Sequence, residues 1–572
     1  MARDRTTVIG FMTDWLDPGY QQVVLHGAIA AAQERNFKLI AYVTNSPFGT
    51  PLQVASTHQL VKPGCVDGLV IMAPSLSWGT PEDQECVLTP LHSIPKCLVA
   101  SEDMESTSIC VDNQSGLLLL IQHLIRDHQF RHLAFVRGPE FNAEAEQRLS
   151  CFRAALAEAG LPVNEKLILP GDFSPKSGAT AVDLLLGERQ VTLGSLDAIV
   201  AANDSMAMGV MEALAARGIQ VPGQVAVTGF DDCADSRYLR APLTTVRQPL
   251  FEQGKLAVRA LTEHIRTGEP QRHVMRTELI VRHSCGCSWG SGKVLEVRQD
   301  AVRSGSSFDA AMLCSRQALL ADLARVARGG LGKLRSGWEV RLVSALVEEL
   351  KGRSADAFRR EFEEIVQNIS AGGSEPGAFG EIVSALWKHL IPCCMADPEL
   401  RTRLEVCLDD ARCTTAAAVQ RLQGADLVNF RNRAFAFVSA CSFISEAGTI
   451  EELARLLERY CSDLGITHLE LALYPDGQQT EDALRVITFS GGRARQLCTS
   501  VQAVELPNLI LNEQGTLPGL LVTTLELQGE VLGLLATNLE AGKGQLFQSI
   551  RAALGNAILV IRLRERLRQN AN

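Results

Sequence analysis

The sequence predicts an α/β chain built on a mostly parallel sheet, continued by an all-helical stretch and then by a smaller α+β module. Three observations carry this. Short apolar runs bounded by turn residues alternate with amphipathic helical patterns from Thr7 to about Arg282. From about Asp309 to Asn429 helical stripes dominate. Beyond His468 strand patterns return around a hairpin signal, Gln528-Gly529-Glu530.

With 572 residues, 46% of them apolar, the chain can bury several cores. A net charge of −10 and a pI near 5.7 argue against a broad nonspecific nucleic-acid surface. The first residues lead into the strand-like VIGFM and then Asp14 and Asp17, not into a signal-peptide core, and no apolar run of about 18 residues follows. A cytoplasmic chain without a membrane span is therefore expected. Sixteen cysteines scattered along such a chain favour reduced thiols. Two pairs stand close, Cys285-Gly286-Cys287 and Cys393-Cys394, but a metal site needs about three or four ligands and only His283 lies near the first pair. Both pairs read as thiols, and neither a metal nor a cofactor is expected.

Taken in order, residues 8–12 form a strand, Asp17-Pro18-Gly19-Tyr20 opens a helix over about 21–36, and 37–43 is the next strand. A helix near 51–61 leads to a strand at 66–72, and 96–100 is a fourth. This set makes one lobe. A strand at 109–112 then precedes a helix over about 115–127, and a strand at 133–136, a helix at 144–160 and an extended piece at 167–169 follow in a second lobe. The stretch 196–232 closes it. There a strand at 198–201 meets the capping cluster Asn203-Asp204-Ser205, the helix stops at Gly218, and a strand at 225–230 ends on Asp231 and Asp232. The helix 249–267 and a strand-like segment around 279–282 are expected to return to the first lobe. Open parallel sheets bind ligands beyond the carboxyl ends of their strands, so Asn203-Asp204 and Asp231-Asp232 fall on one rim.

The motifs VDGLVI (66–71), VDNQSG (111–116), HLAFVRGP (132–139), QRLSCFRAALAEAGL (147–161), AIVAANDSMAMGVMEAL (198–214), VPGQVAVTGFDD (221–232) and PLTTVRQP (242–249) follow one another in a characteristic order. Over residues 1–287 the chain resembles the effector-binding core of the lactose/galactose repressor (LacI/GalR) family. The resemblance implies the type I periplasmic-binding-protein fold: two doubly wound lobes, three crossovers, and a sugar or purine in the cleft. It also implies the site. Arg148 matches the family arginine that meets ligand oxygens, Asn203, Asp231 and Gln248 match further cleft positions, and Tyr20 matches an aromatic walling the cleft. A carboxylate, an amide and a guanidinium together hold vicinal hydroxyls, and an aromatic face packs on a pyranose ring. Each residue also has a plainer reading: Asn203 and Asp204 as helix caps, Asp232 as a turn brace, Arg148 as a surface helix residue. Two departures stand out. The family's helix-turn-helix and hinge helix do not precede the strand at Val8, so DNA reading by the family's route is not expected. The run Trp15-Leu16-Asp17-Pro18-Gly19 differs from the family's Asn-Pro-Phe pattern and leaves the ligand class open.

Residues 288–429 read as a helical connector or bundle, with stripes such as Leu319, Leu323 and Val326, and a break at Gly372-Gly373-Ser374-Glu375-Pro376. His389 reads as a solvated helix residue, not a phosphorelay histidine. Residues 430–572 resemble a GAF-type sensor domain in their helix, strands, hairpin and exit helix, and most closely in LQGEVLGLLATNLE (527–540). On the exit helix Phe547, Ile550, Leu554, Ala557 and Ile561 form a coiled-coil seam expected to pair two protomers. Arg562, Arg564, Arg566 and Arg568 read as a solvated face. The whole reads as a non-enzymatic cytoplasmic sensor and signalling or transcriptional regulatory protein for a sugar-like or nucleoside-like effector, a homodimer that passes lobe closure to its carboxyl-terminal part, where a protein partner for the output is open. The alternative is a DNA-binding transcriptional regulator acting through a nonstandard surface or a partner protein. Adjacent carboxylates at Asp231 and Asp232 cannot flank a glycosidic bond from opposite sides, which sets glycoside hydrolysis aside.

Overall fold

In chain order the amino-terminal part folds as β1 (Val8–Thr13), α1 (Gln21–Glu34), β2 (Lys38–Val43), β3 (Gly68–Met72), β4 (Lys96–Val99), β5 (Thr107–Val111), α2 (Asn113–Gln122), β6 (Leu133–Val136), α3 (Ala143–Glu158), β7 (Ile168–Leu169), α4 (Pro175–Asp183), β8 (Ala198–Ala201), α5 (Asp204–Ala216), β9 (Ala226–Thr228), β10 (Thr245–Arg247), α6 (Leu250–Thr267), β11 (Arg272–Met275) and β12 (Glu278–Ile280). The computed structural model describes residues 6–14, 16, 19–43, 60–72, 89–101, 105–140, 142–287, 307–328, 334–371, 377–462, 464, 466–475, 482–513, 519–527, 530–538 and 544–571. It divides into two units, Met1–Trp289 with Ala436–Asn572, and Gly290–Phe435.

Helix starts follow local chemistry. The side chains of Asp112, Asn142 and Asn203 each accept a backbone N–H from the first turn of α2, α3 and α5, meeting donors that the helix itself leaves open. Gly268 at φ +77° closes α6 in the left-handed conformation. The first lobe's sheet runs β11-β5-β4-β3-β1-β2 and the second runs β7-β6-β8-β9, with parallel pairing in both. In each lobe the chain winds first to one side and then to the other, so the switch points lie at the carboxyl ends of β1 and β3, and of β6 and β8. On the first lobe α1 and α6 meet at backbone contact: a Cβ on Gly27 would strike the Phe251 carbonyl, and one on Gly254 the Val24 carbonyl.

The return to the first lobe differs from expectation. The segment at 279–282 does not go back; β12 pairs antiparallel with β10, and Leu279 packs on the second core. The returning strand is β11, which pairs with β5 at the sheet edge. Its residues alternate between exposed and half-buried, and Arg272 and His273 mask the apolar signal. The lobes are thus crossed between β5 and α2, β10 and α6, and β11 and β12. Thr277 Oγ1 donates to the Asp112 carbonyl at 2.9 Å, tying the first crossing to the third. The helix expected at 51–61 falls almost wholly outside the described residues.

The second unit contains α7 (Phe308–Arg328), α8 (Trp338–Leu350), α9 (Ala357–Ala371), α10 (Gly377–Leu390) and most of α11 (Pro398–Ser445). Leu319, Leu323, Leu342, Phe358, Phe379, Leu386 and Leu404 share its core. His389 is not a solvated residue: its Nε2 lies 2.9 Å from Asp322 Oδ2, which also accepts from Lys388 at 3.0 Å, joining α10 to α7. Cys393 and Cys394 are buried.

The carboxyl-terminal part comprises α12 (Ile450–Tyr460), β13 (His468–Leu473), β14 (Asp482–Ser490), β15 (Arg493–Gln502), α13 (Leu506–Glu513), β16 (Gly519–Leu527), β17 (Glu530–Asn538) and α14 (Gly544–Ala571). β15 is a mostly exposed edge strand of polar residues, without the alternation that reveals a half-buried strand. The antiparallel order is β16-β17-β13-β14-β15, and β16 pairs in parallel with β2, Leu520 opposite Ile40 and Val522 opposite Tyr42. One 11-stranded sheet results. Thr523 Oγ1 donates to the Val43 carbonyl and Asn508 Nδ2 to the Cys65 carbonyl, each at 2.9 Å. A common core mixes Ile40, Tyr42 and Leu69 with Leu506, Ile510, Leu520 and Leu534.

The coiled-coil expectation for α14 is corrected by this packing. Phe547, Ile550, Leu554, Ala557 and Ile561 are all buried in the chain's own core, so the seam is already covered. Arg562 is not solvated either; it donates to the Tyr474 and Leu532 carbonyls at 2.6 and 3.0 Å. Among the described residues no helix is long and apolar enough to cross a membrane.

Candidate functional site

Arg148 stands on α3, the helix that follows the switch-point strand β6. It is buried, not a surface residue, at 2% exposure. Its Nε donates to Asn113 Oδ1 at 2.9 Å, Nη1 to the Ala202 carbonyl at 2.8 Å, and Nη2 to Glu144 Oε2 at 3.4 Å. The guanidinium also lies over the Phe230 ring, 4.0 Å from its centroid. Asp231 Oδ1 is 3.9 Å from Nη1, close enough for attraction but beyond a hydrogen bond. Of its five N–H groups, three are engaged in these bonds.

Asp231 follows β9 with φ at +119°, a conformation a side chain rarely adopts, and its N–H donates to the Val246 carbonyl at 2.7 Å. That bond sets Asp231 against the second crossing. Gln248, the residue just after β10, donates from Nε2 to Asp231 Oδ1 at 2.6 Å, and Gln253 on α6 donates to Gln248 Oε1 at 3.2 Å. Burial pushes the Asp231 carboxyl well above its ordinary range, with Arg148 opposing. Tyr20 stands at the start of α1. Burial and then the charges of Glu144 and Asp231 raise its phenol. Arg148, Asp231 and Gln248 therefore converge in the second lobe and at its crossing, while Tyr20, half-buried at the start of α1, belongs to the first lobe.

The remaining polar residues brace the rim. Asn203 uses both ends of its amide in the fold: Oδ1 accepts from Met206 N at 2.9 Å and Nδ2 donates to the Phe173 carbonyl at 3.1 Å. Asp204 is buried, accepts from Thr245 Oγ1 at 2.5 Å and from Cys233 N at 2.9 Å, and is pushed up to about 7 by burial. Asp232 meets Arg237, Arg247 and Arg282. Burial would raise its carboxyl, but the bonds from Arg282 and Arg247 outweigh it and hold the group low. These three partners make it a turn brace. Glu144 and Asn113 were missed from the sequence, although Glu144 stands one turn before Arg148 and Asn113 lies within VDNQSG. Of the run at 15–19, Trp15, Asp17 and Pro18 are outside the described residues.

Among the described residues one group can hold a metal ion: His123, His128, Cys285 and Cys287. The reading of Cys285 and Cys287 as a pair with only His283 nearby is corrected. His283 Nδ1 instead lies 2.9 Å from the Cys287 carbonyl, and the two histidines come from the far end of α2.

Residues 121–285 match the family model of the periplasmic binding protein-like domain. The HTH-type transcriptional regulator CelR of Thermobifida fusca is 36% identical over 273 residues, 47% of this chain and 76% of that one. The HTH-type transcriptional repressor PurR of Vibrio parahaemolyticus is 32% identical over 224 residues, and the chain spans 64% of its length. A solved CelR–cellobiose complex is 27% identical, with 49% of this chain and 85% of that chain covered and a TM-score of 0.44. Through its two-lobed amino-terminal module, this chain belongs to the LacI/GalR family of regulators.

Proposed function

We propose that this chain is a non-enzymatic regulatory sensor whose two lobes close on a sugar-like or nucleoside-like effector, held by Arg148, Asp231, Gln248 and Tyr20, with Asn203 at the rim. The observation that carries this is the convergence of a buried guanidinium, a strained carboxylate and a crossing-point amide. A ligand shifts the open–closed equilibrium only by its differential affinity for the closed state. Gln248 sits where the chain passes between lobes, so a ligand bound there acts directly on the crossing. Because β16 extends the first lobe's sheet, the carboxyl-terminal part moves with that lobe, and closure changes what it presents. We read that part, residues 430–572, as a GAF-like module and residues 288–429 as the helical connector. The curated relatives are named as transcriptional regulators, which supports a regulatory output.

Thermal melting of the full chain against a panel of pentoses, hexoses, disaccharides, polyols and nucleosides tests the reading. One class raises the melting temperature, and Asp231→Asn abolishes that rise. A flat response across the panel overturns it. The net charge of −10 favours output through a protein partner over direct DNA contact. A mobility shift with genomic fragments that weakens steeply with salt would instead favour the DNA-binding alternative.

A further inference from the structure

His123 and His128 flank a π turn at the end of α2 (His123–Asp127), whose wider hydrogen-bond span stacks residues five apart where a regular helix would splay them. The two rings meet edge to face with centroids 4.9 Å apart. Cys285 and Cys287 arrive from the other end of the module, after β12, and Gly286 between them adopts φ +104°, a left-handed turn. His123 Nε2 lies 3.3 Å from His128 Nε2, 3.5 Å from Cys285 Sγ and 3.6 Å from Cys287 Sγ. Cys287 Sγ is 3.3 Å from His128 Nε2, and all four ligand atoms lie within 4.8 Å of one another.

Those separations match a metal centre. With Zn–S near 2.3 Å and Zn–N near 2.0–2.1 Å, tetrahedral angles put nitrogen about 3.6 Å from sulfur and nitrogens about 3.3–3.4 Å apart. The supporting contacts match as well. His123 Nδ1 lies 2.7 Å from Asp127 Oδ2, which keeps the proton on Nδ1 and turns the Nε2 lone pair toward the cluster. Thr244 Oγ1 donates to Cys285 Sγ at 3.1 Å, a contact that suits a thiolate. His128 is stacked on Phe130, with centroids 5.1 Å apart. A cation at the centre would meet that lone pair, the second ring nitrogen and both sulfurs at once.

We propose that His123, His128, Cys285 and Cys287 form a structural zinc site in the second lobe. Two thiolates and two imidazoles in a closed tetrahedron are the donor set of structural zinc, with no position left open for water or substrate. The site joins residues 162 apart and fastens the segment leaving β12 to α2, at the opposite end of that helix from the cleft residue Asn113. The linker beyond Cys287 thereby starts from a fixed point on the lobe, whatever the cleft binds.

The full chain, purified without chelator and dialysed, should contain about one zinc per chain by elemental mass spectrometry. Replacement by cobalt(II) should give the thiolate charge-transfer band and intense visible bands of a tetrahedral centre. Cys287→Ser and His128→Gln, both at half-buried positions, should lower the zinc content at least tenfold, and Cys393→Ser should not. Cys285 is fully buried, so Cys285→Ser can fail by misfolding; the two half-buried variants, checked by circular dichroism, decide the matter. The proposal is overturned by wild-type protein that stays metal-free after exposure to zinc, by a content unchanged in both variants, or by a Cys285–Cys287 disulfide in the protein as purified.

Discussion

Asp231, Asp232 and Asp204 lie within a few residues or one contact of each other, yet their environments treat them differently. Asp204, ordinarily near 3.8, is raised to about 7, so the folded chain holds a proton there across a window in which the unfolded chain does not. Folding then takes up a proton, and this group makes stability fall as pH rises from about 4 to about 7. Asp232 runs the other way: its value lies below 3.8, so its contribution is present above that value and is lost as pH falls. Urea midpoints across this range should decline less steeply in Asp204→Asn than in the wild type, and an identical slope would refute the assignment. Arg148 lies beside two buried carboxyls, Glu144 and Asp231, and opposes the rise that burial imposes on both. Arg148→Ala should cost about 3–5 kcal/mol near neutral pH, measured by urea unfolding, because it removes that opposing charge and leaves the buried Asn113 and Ala202 oxygens without their donor. In the carboxyl-terminal part the Glu470–Arg485 pair, 2.7 Å apart with both side chains buried, predicts a loss of similar size for Arg485→Ala.

At the level of elements, α1 and α6 touch through glycines on each side, which is why the two helices can approach so closely. Gly27→Ala and Gly254→Ala should each lower stability by about 1–3 kcal/mol, since backbone carbonyls cannot yield as a side-chain tip does. Gly194→Ala, with open space around it, serves as the control in the same melting experiment. Both helices were legible in the sequence because their apolar periodicity and boundary residues agree. So were the buried runs that became β1, β6 and β8. The strands β11 and β15 were not: each lies at a sheet edge, half in water, where selection for apolar alternation is weak. Of the cleft, Arg148, Asp231 and Gln248 were named by motif and the capping role of Asn203 was legible from its place after a strand, whereas its bond to the Phe173 carbonyl emerges only from the structure. The histidine–cysteine cluster was hidden by distance along the chain. His123 and His128 do have a metal-ligand spacing, but nothing in the sequence places Cys285 beside them.

For the molecule as a whole, the shared sheet is the feature with the widest reach. The apolar strand β2 would be an edge without β16, with a row of unpaired backbone groups and the side chains of Ile40 and Tyr42 open to water. A chain ended after residue 287 should therefore self-associate, seen as a rise in light scattering at concentrations where the full chain stays dispersed. A monodisperse truncated chain would show that the edge needs no cover. Timing adds a further consequence. The contact between Val43 and Thr523 joins residues 480 apart, so at about 5–20 residues per second a ribosome delivers the covering strand roughly half a minute to a minute and a half after β2 has emerged. Through that interval the nascent first lobe waits with one side unfinished. Its completion waits on a strand made 480 residues later, and a cell making this protein must keep that side from finding another partner first.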